Sequence, residues 1–521
     1  MGPPITSREK KPLPDRGVVP ARNTDISLYE YSSGSARFRQ GDSGTMGPEF
    51  LLAVILVINV VFAVIIVFYE RRNPIAAVAW LMALFLIPPI GFVLYLFFGQ
   101  NYTRRRICAM MEGRDLLRDL LLAQERTFSD PRHRFTRPEA DEFRETILLL
   151  LRNDRACLTE KNHLDLYTRG EDMFEALFAA IRGARHHIHL EYFIVNNDDL
   201  GRSVIRALAE KAREGVEVRL LIDAMGVRAG GGSRAAFSEL TEAGGKIGVF
   251  LPAIYRFNYR NHRKIVVVDG TLGFIGGFNI GDEYLGRGPL GTWRDAAVRI
   301  VGDAVRMLQY RFLLDWNYTT GERLEPGPLY FPDPGSSTGT TPVQIVSGCP
   351  GTRWNPIKEG YIKLINSARE SVYIQTPYFI PDESVMDALR LAALSGVDVR
   401  IMIPCKPDHP FVYWATLSFI GDLLDSGVRA YTYDDGFLHA KTIVVDRKAG
   451  SIGSANWDIR SFQLNFEANA FFYDARIGAE FARRFEEDLV ISTEITPERY
   501  RARSIRVRMK ESISRLFSPL G

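Results

Sequence analysis

Two segments of this chain carry histidine, lysine and aspartate at the same spacing. His262-Arg263-Lys264 is followed after four residues by Asp269, and His439-Ala440-Lys441 after four residues by Asp446. The echo continues through Gly276-Gly277 and Gly453-Ser454 to Asn279 and Asn456, each seventeen positions past its histidine (279 − 262 and 456 − 439). Histidine offers a nucleophile or a proton near neutral pH, lysine an ammonium, and asparagine an amide donor. Two such sets, brought together, form a pseudo-symmetric pocket for a phosphate diester, whose developing charge the ammonium and amide groups stabilise. A single copy is what chance leaves on a surface strand; two copies with matched tails are not. The candidate catalytic set is therefore His262, Lys264, Asp269, His439, Lys441 and Asp446, and the phosphate-binding set is Lys264, Asn279, Lys441, Ser454 and Asn456.

Strand geometry must position these groups. His and Lys two residues apart point to one face of a β-strand, and the β-branched runs Ile265–Val268 and Thr442–Val445 read as buried strand. The following glycines let the backbone approach a ligand closely. Asp269 and Asp446 stand seven residues from their histidines, on the opposite face, so they read as structural partners within the motif rather than proton relays. Phosphodiester exchange needs a nucleophile and an acid for the leaving alkoxide. Two histidines across one phosphorus fill both roles when one starts neutral and the other protonated.

The duplication is wider than the motif. Ile181-x-x-Ala184-Arg185 and His187–Leu190 align with Ile365-x-x-Ala368-Arg369 and Ser371–Ile374, and each stretch then reaches Tyr-Phe-Ile, at Tyr192 and Tyr378. Segments GVEVRLLID from Gly215 and GVDVRIMIP from Gly396 follow helical stretches. The expectation is an α/β fold of two similar halves, each with a mainly parallel sheet, and one site between them.

These residues resemble the phospholipase D superfamily, whose signature is a duplicated His-Lys-Asp motif. Within it they are similar to the bacterial cardiolipin synthases, on the strength of ERRNPIAAVAWLMALFLIPPIGFVLYLFFGQN from Glu70, GTWRDAAVRIVG after the first motif, and the ending Ser518-Pro519-Leu520. Gly277, where the second copy has Ser454, departs from the pattern by one hydroxyl. The resemblance implies a phosphatidyltransferase that joins two phosphatidylglycerols into cardiolipin with release of glycerol, through a phosphohistidine on His262, with His439 as acid and then base. It also implies Asp295 and Glu467 as the carboxylates that orient the histidines. A phospholipase D-type hydrolase, or transfer to another alcohol, is the alternative.

Composition bounds the rest. A net charge of +3 shows no strongly basic face for a nuclease acting on duplex, so no nucleic-acid partner is expected. The four cysteines lack C-x-x-C spacing and read as reduced, without a zinc or disulfide framework. His186, His187 and His189 read as strand residues rather than a metal site, while Glu191, Tyr192, Tyr378 and Phe379 occupy matched strand ends. No P-loop, G-x-S-x-G elbow, HExxH helix or Asp-rich CDP-alcohol signature is present, and no cofactor or metal is expected.

Residues 1–49 are rich in Gly, Pro, Ser and charge and read as a disordered tail. Two apolar runs, 50–69 and 75–98, read as membrane segments; Pro88-Pro89 makes the second either a kinked crossing or a dip and return. A linker (99–134), a first half (135–335), a second half (336–495) and a basic amphipathic tail (496–521) complete the plan. Arg104-Arg105-Arg106, beside the catalytic part, favour a multi-pass protein of the bacterial inner membrane with that part in the cytoplasm. Ile505, Met509, Ile513, Leu516 and Phe517 fall near one helical face among bases, the pattern of an interfacial helix on anionic lipid or of a solvated helix packed on the domain.

Overall fold

The computed structural model describes residues 48–69, 74–95, 118–231, 234–250, 258–333, 339–350 and 352–518. The expected disordered tail up to residue 47 and most of the expected linker lie outside the described residues.

The first apolar run forms helix α1 (Pro48–Val64), which continues as a π-helical turn over Ile65–Tyr69. Glu49–Phe68 spans 20 residues at a mean hydropathy of 3.3, long and apolar enough to cross a bilayer. The second run divides into α2 (Pro74–Leu86) and α3 (Pro88–Leu94). The two helices fold back on one another. Trp80 and Tyr95 meet edge-on at 5.5 Å, and Gly91 lies so close to the backbone of Ala83 that a Cβ there would sit 1.9 Å from its oxygen. Proline at position 88 has no N–H for the carbonyl of Leu84; Asn59 of α1 donates to that oxygen at 2.8 Å instead.

Beyond these apolar helices, one strand plan is used twice. The first sheet runs Asn162–Tyr167, Ala297–Gly302, Leu272–Gly276, Ile265–Val268, His187–Tyr192, Glu217–Asp223, Lys246–Phe250. The second runs Val343–Gly348, Asn465–Tyr473, Ala449–Gly453, Thr442–Val445, Ser371–Gln375, Asp398–Pro404, Arg429–Tyr433, with the short strands Leu158–Thr159 and Ser492–Glu494 at its edges. Only the last three strands of each set of seven are mutually parallel. The mainly parallel sheet expected from the βαβ repeats is therefore corrected to a mixed sheet with more antiparallel pairs. The cause is a tight hairpin inside each motif. Asp269 and Gly270 have φ of 52° and 66°, Asp446 and Arg447 of 50° and 54°, a left-handed pair that opens each three-residue hairpin loop between Val268 and Leu272 and between Val445 and Ala449.

The two sheets face each other across one apolar core, to which Ile265, Ile275 and Val298 of the first half and Ile345, Val444 and Phe472 of the second all belong. Helices cover the outer face of each sheet. Residues Phe135–Leu158, assigned by sequence to the first half, instead pack into the core of the second, and Leu158–Thr159 pairs with Val343–Gln344. Cys349 is disulfide-bonded, contrary to the reading of four reduced thiols, while Cys157 and Cys405 are free.

Arg263, wholly buried, ties the halves together. Its guanidinium pairs with Asp315 at 2.8 Å and donates to the carbonyls of Gly348 (2.9 Å) and Glu467 (3.1 Å). Removing one partner of such a pair leaves a buried charge uncompensated. Asp315→Asn should therefore destabilise the protein by about 3–5 kcal/mol, read as a lowered unfolding midpoint in detergent; a loss below about 0.5 kcal/mol would show that the pair does not hold the halves.

Candidate active site

Each motif histidine is delivered by a short strand that hydrogen-bonds to the other half. Arg260–Asn261 pairs in parallel with Asn465–Phe466, and the amide of His262 donates to the carbonyl of Phe466 at 2.9 Å. Phe437–Leu438 pairs likewise with Trp293–Arg294, and the amide of His439 donates to Arg294 at 2.7 Å. The next residue on each receiving strand is a carboxylate. Glu467 of the second half thus reaches Nδ1 of His262 at 3.0 Å, and Asp295 of the first half reaches Nδ1 of His439 at 2.6 Å. All four side chains are at most 10% exposed.

A carboxylate only accepts, so Nδ1 of each ring carries the hydrogen and Nε2 is left with its lone pair. The electrostatics agree. Burial lowers His262 below its ordinary value, and burial with the neighbouring Lys441 ammonium lowers His439 to about 4. Burial pushes the other way on the carboxylates. His262 and Lys264 outweigh it at Glu467, and Lys441 and His439 at Asp295, so both stay below the usual range and ionised. Both histidines are neutral near pH 7, each held by an anion on one side and bare on the other.

Lys264 and Lys441 lie wholly within the same enclosure, and each ammonium donates to the carbonyl of its own motif histidine. Burial lowers Lys264 well below its ordinary value and Lys441 to about 8. Asn279 accepts from the amide of Ile194 at 3.3 Å, and Asn456 has a buried Oδ1 with no hydrogen-bond partner among the described residues. Ser454 was expected to meet phosphate. Its hydroxyl instead donates to Glu467 at 2.5 Å and accepts from the amide of Ala468, so it fixes the carboxylate. At the matching place in the first half, a Cβ on Gly277 would lie 2.1 Å from Asp295 Oδ1. The missing hydroxyl is the room that the Asp295 carboxylate occupies.

Asp269 and Asp446 do not join this group. The amides of Arg185, His186 and His187 donate to Asp269, and those of Arg369, Glu370 and Ser371 to Asp446, all at 2.8–3.0 Å. Their place in the catalytic set is corrected to a structural one: each sits in its hairpin turn and clamps the start of the neighbouring strand. His187 and His189 are core residues bridged by Gln309. Tyr192 and Phe379 are buried in apolar cores, Glu191 accepts from Asn261, and Tyr378 donates to Asp408. Sequence reasoning missed Tyr284, whose hydroxyl lies 3.2 Å from Nδ1 of His439 and receives a 3.4 Å contact from Asn279. Nothing in the repeat marks it, because the second half has Ser461 at the matching offset (284 + 177 = 461, with 439 − 262 = 177). A cavity of about 900 Å³ lies on the Arg263 side, lined by Arg118, Arg152, Arg155 and Arg353 among others, and includes neither histidine.

Comparison with known proteins identifies the family. The family described as cardiolipin synthase, phospholipase D-like domain, matches residues 177–289 and 361–489, and the phospholipase D-nuclease N-terminal family matches 53–100. The chain is 48% identical to the major cardiolipin synthase ClsA of Bacillus subtilis, covering 91% of this chain and 99% of that one. It is 46% identical to a cardiolipin synthase of Staphylococcus aureus (89% and 95%) and 44% identical to one of Oceanobacillus iheyensis (91% and 99%). Among solved structures, phosphatidylserine synthase of Haemophilus influenzae shares the fold at a TM-score of 0.57 and 13% identity, covering 72% of this chain and 98% of that one.

Asp269→Ala or Asp446→Ala should destabilise the fold by about 2–4 kcal/mol, since each leaves three strand amides without their acceptor and puts alanine in a left-handed turn. Asparagine at the same position tolerates that turn and keeps one acceptor oxygen, so it should lose less. Equal unfolding midpoints for Asp269→Ala and the unaltered protein would refute the clamp.

Proposed function

The chain belongs to the bacterial cardiolipin synthases of the phospholipase D superfamily, and from that premise we propose that it transfers a phosphatidyl group from one phosphatidylglycerol to another, giving cardiolipin and glycerol. The single observation that carries the reading is the pair of buried motif histidines, each held at Nδ1 by a carboxylate from the opposite half. Nε2 of His262 attacks phosphorus, and the bond from phosphorus to the glycerol oxygen breaks. His439 supplies the proton to that oxygen. The anionic diester, arriving beside it, opposes the depression of the ring's basicity and draws that proton on. In the second step the acceptor hydroxyl gives its proton to His439, attacks phosphorus and releases His262. Lys264, Lys441, Asn279 and Asn456 neutralise the non-bridging oxygens, so this step asks for no divalent ion. The two sites are matched in burial and in carboxylate partner, so the choice of His262 as nucleophile follows the family resemblance.

The protein is membrane-associated, with α1 as the long apolar helix. We propose the inner membrane, with α1 crossing, α2 and α3 dipping in and returning, and the catalytic part on the cytoplasmic side. The 13 residues of α2 reach only about 20 Å, short of a hydrocarbon core of about 30 Å. The helix Ile505–Phe517 supports a second contact with anionic lipid. It buries Glu511 and Ser514 on the protein and exposes Ile505, Met509, Ile513 and Leu516 by 53–75% on the opposite face.

His262→Ala and His439→Ala should each abolish turnover of labelled phosphatidylglycerol, and labelled phospholipid trapped on the protein should vanish in His262→Ala. Label kept there but lost in His439→Ala would reverse the roles; phosphatidic acid as the only product would make the protein a hydrolase. Above about pH 8, kcat/KM should fall as Lys441 loses its charge. Lys441→Arg, which stays charged, should remove that alkaline limb from whatever activity remains. Replacing Ile505, Met509, Ile513 and Leu516 together by Glu should slow turnover on anionic vesicles about tenfold, the loss of roughly 1.4 kcal/mol, and leave detergent-dispersed substrate nearly unaffected. Equal rates in both assays would remove the C-terminal helix from the lipid contact.

A further inference from the structure

One side of the two-histidine pocket carries more positive charge than a single phosphate requires. The segment from Arg260 to Lys264 alternates: Asn261 turns to Glu191 (2.5 Å) and Arg263 to Asp315, so Arg260, His262 and Lys264 share the other face. The Arg260 side chain is 8% exposed, yet it is poorly paired. Its Nη1 donates to the carbonyl of Tyr259 at 3.2 Å and stands 3.9 Å from Asp223, and its Nη2 has no partner among the described residues. Asp223 is already engaged, accepting from the amides of Asn261 and Met225 at 2.8 Å.

Two more guanidinium groups press on this one. Arg228 and Arg460 both lower Arg260, after burial and against the pull of Asp223, and Arg460 is itself fixed by Asn258 at 3.1 and 3.2 Å. Asp223 acts on Arg260, Arg460 and the site ammonium of Lys264 alike, so these charges share one neighbourhood. Two further carboxylates act here: Glu467, already engaged by His262 and Ser454, and Asp458, which burial raises to about 6. A buried guanidinium with an unused donor edge is unfavourable unless an anion meets it. The second half has no counterpart. Its position equivalent to Arg260 is Phe437 (260 + 177 = 437), packed on Trp293 at 4.6 Å.

We propose that Arg260, with Arg228 and Arg460, forms a second phosphodiester subsite beside the two-histidine pocket, and that it binds the phosphate of the acceptor phospholipid. The proposal rests on the phosphatidyl-transfer reading and says which acceptor that site selects. In a glycerol-bridged product the two phosphorus atoms are six single bonds apart, about 7 Å when extended. Residues two apart in extended chain stand about 7 Å apart as well, and His262 directly follows the short strand Arg260–Asn261, its amide continuing the pairing to Phe466. An acceptor that brings its own phosphate engages both places; water and free glycerol engage one. The acceptor oxygen forms the new bond to phosphorus, the phosphorus–nitrogen bond to His262 breaks, the hydroxyl proton passes to His439, and the phosphate on Arg260 is unchanged.

The test uses the full-length enzyme in mixed micelles with labelled phosphatidylglycerol and three products measured together: cardiolipin, phosphatidic acid, and phosphatidylglycerol that has taken up labelled free glycerol. Arg260→Gln should lower the ratio of cardiolipin to glycerol exchange at least tenfold through a raised KM for acceptor lipid, the effect of losing a charge-assisted contact. Arg260→Lys should restore part of the ratio, and the more exposed Arg460→Gln should shift it in the same direction even if Arg260→Gln folds poorly. Three products falling in parallel, or an unchanged ratio, overturns the subsite while leaving the transferase reading intact. Unaltered enzyme that exchanges glycerol but makes no cardiolipin overturns both, and that result is read before any variant is made.

Discussion

Everything in the catalytic part depends on an exchange of carboxylates. Glu467 belongs to the second half and serves His262 of the first; Asp295 belongs to the first and serves His439 of the second. An imidazole acts as nucleophile or base only when its other nitrogen is held in the right tautomer. Each ring therefore becomes competent through a residue on the far side of the interface. The short strand pairs at Arg260–Asn261 and Phe437–Leu438 exist to bring this about, and the Arg263 guanidinium, donating to Glu467 and Gly348, holds the same seam from behind.

The electrostatic consequence is a closed set of charges. Two lysines and two carboxylates, all buried, balance one another around two neutral rings. Removing water raises the strength of each interaction and also raises the penalty for any unmatched member. That is why the secondary partners matter: Ser454 fixes Glu467, Tyr284 stands against His439, and Gly277 leaves the space that Asp295 needs. The enclosure is balanced before a ligand enters except at Arg260, and the imbalance falls on one side only.

Much of this was legible in the sequence, for a specific reason. The repeat announced the histidines, lysines and asparagines, and strand alternation put Asp269 and Asp446 on the far face. Asp295 and Glu467 came only with the family resemblance, because pairing between residues 205 positions apart leaves no local trace. The sheet was misread as mainly parallel although Asp269-Gly270 is a hairpin signal in plain view. Its partner copy reads Asp446-Arg447, without the glycine, and so hides the same turn. Tyr284 and Arg260 had no counterpart in the other copy, and a reading built on symmetry passes over residues that break it. The second apolar run was ambiguous because Pro88-Pro89 is compatible with a kink or a reversal; Asn59, 29 residues before Pro88, supplies the donor for the carbonyls of Leu84 and Pro88, and nothing near the prolines announces it.

The crossed carboxylates also govern when the protein becomes reactive in its own lifetime. During synthesis the first half leaves the ribosome carrying His262 and Asp295, while Glu467 and His439 are still to be made. A nascent or prematurely ended chain holds a histidine with no orienting partner and a carboxylate with no histidine to hold, although its long apolar helix has already been made. Chemical competence arrives only with the strand Asn465–Tyr473, which carries Glu467. The interface works as a coincidence detector, and the bilayer is exposed to the chemistry only of chains that have been completed.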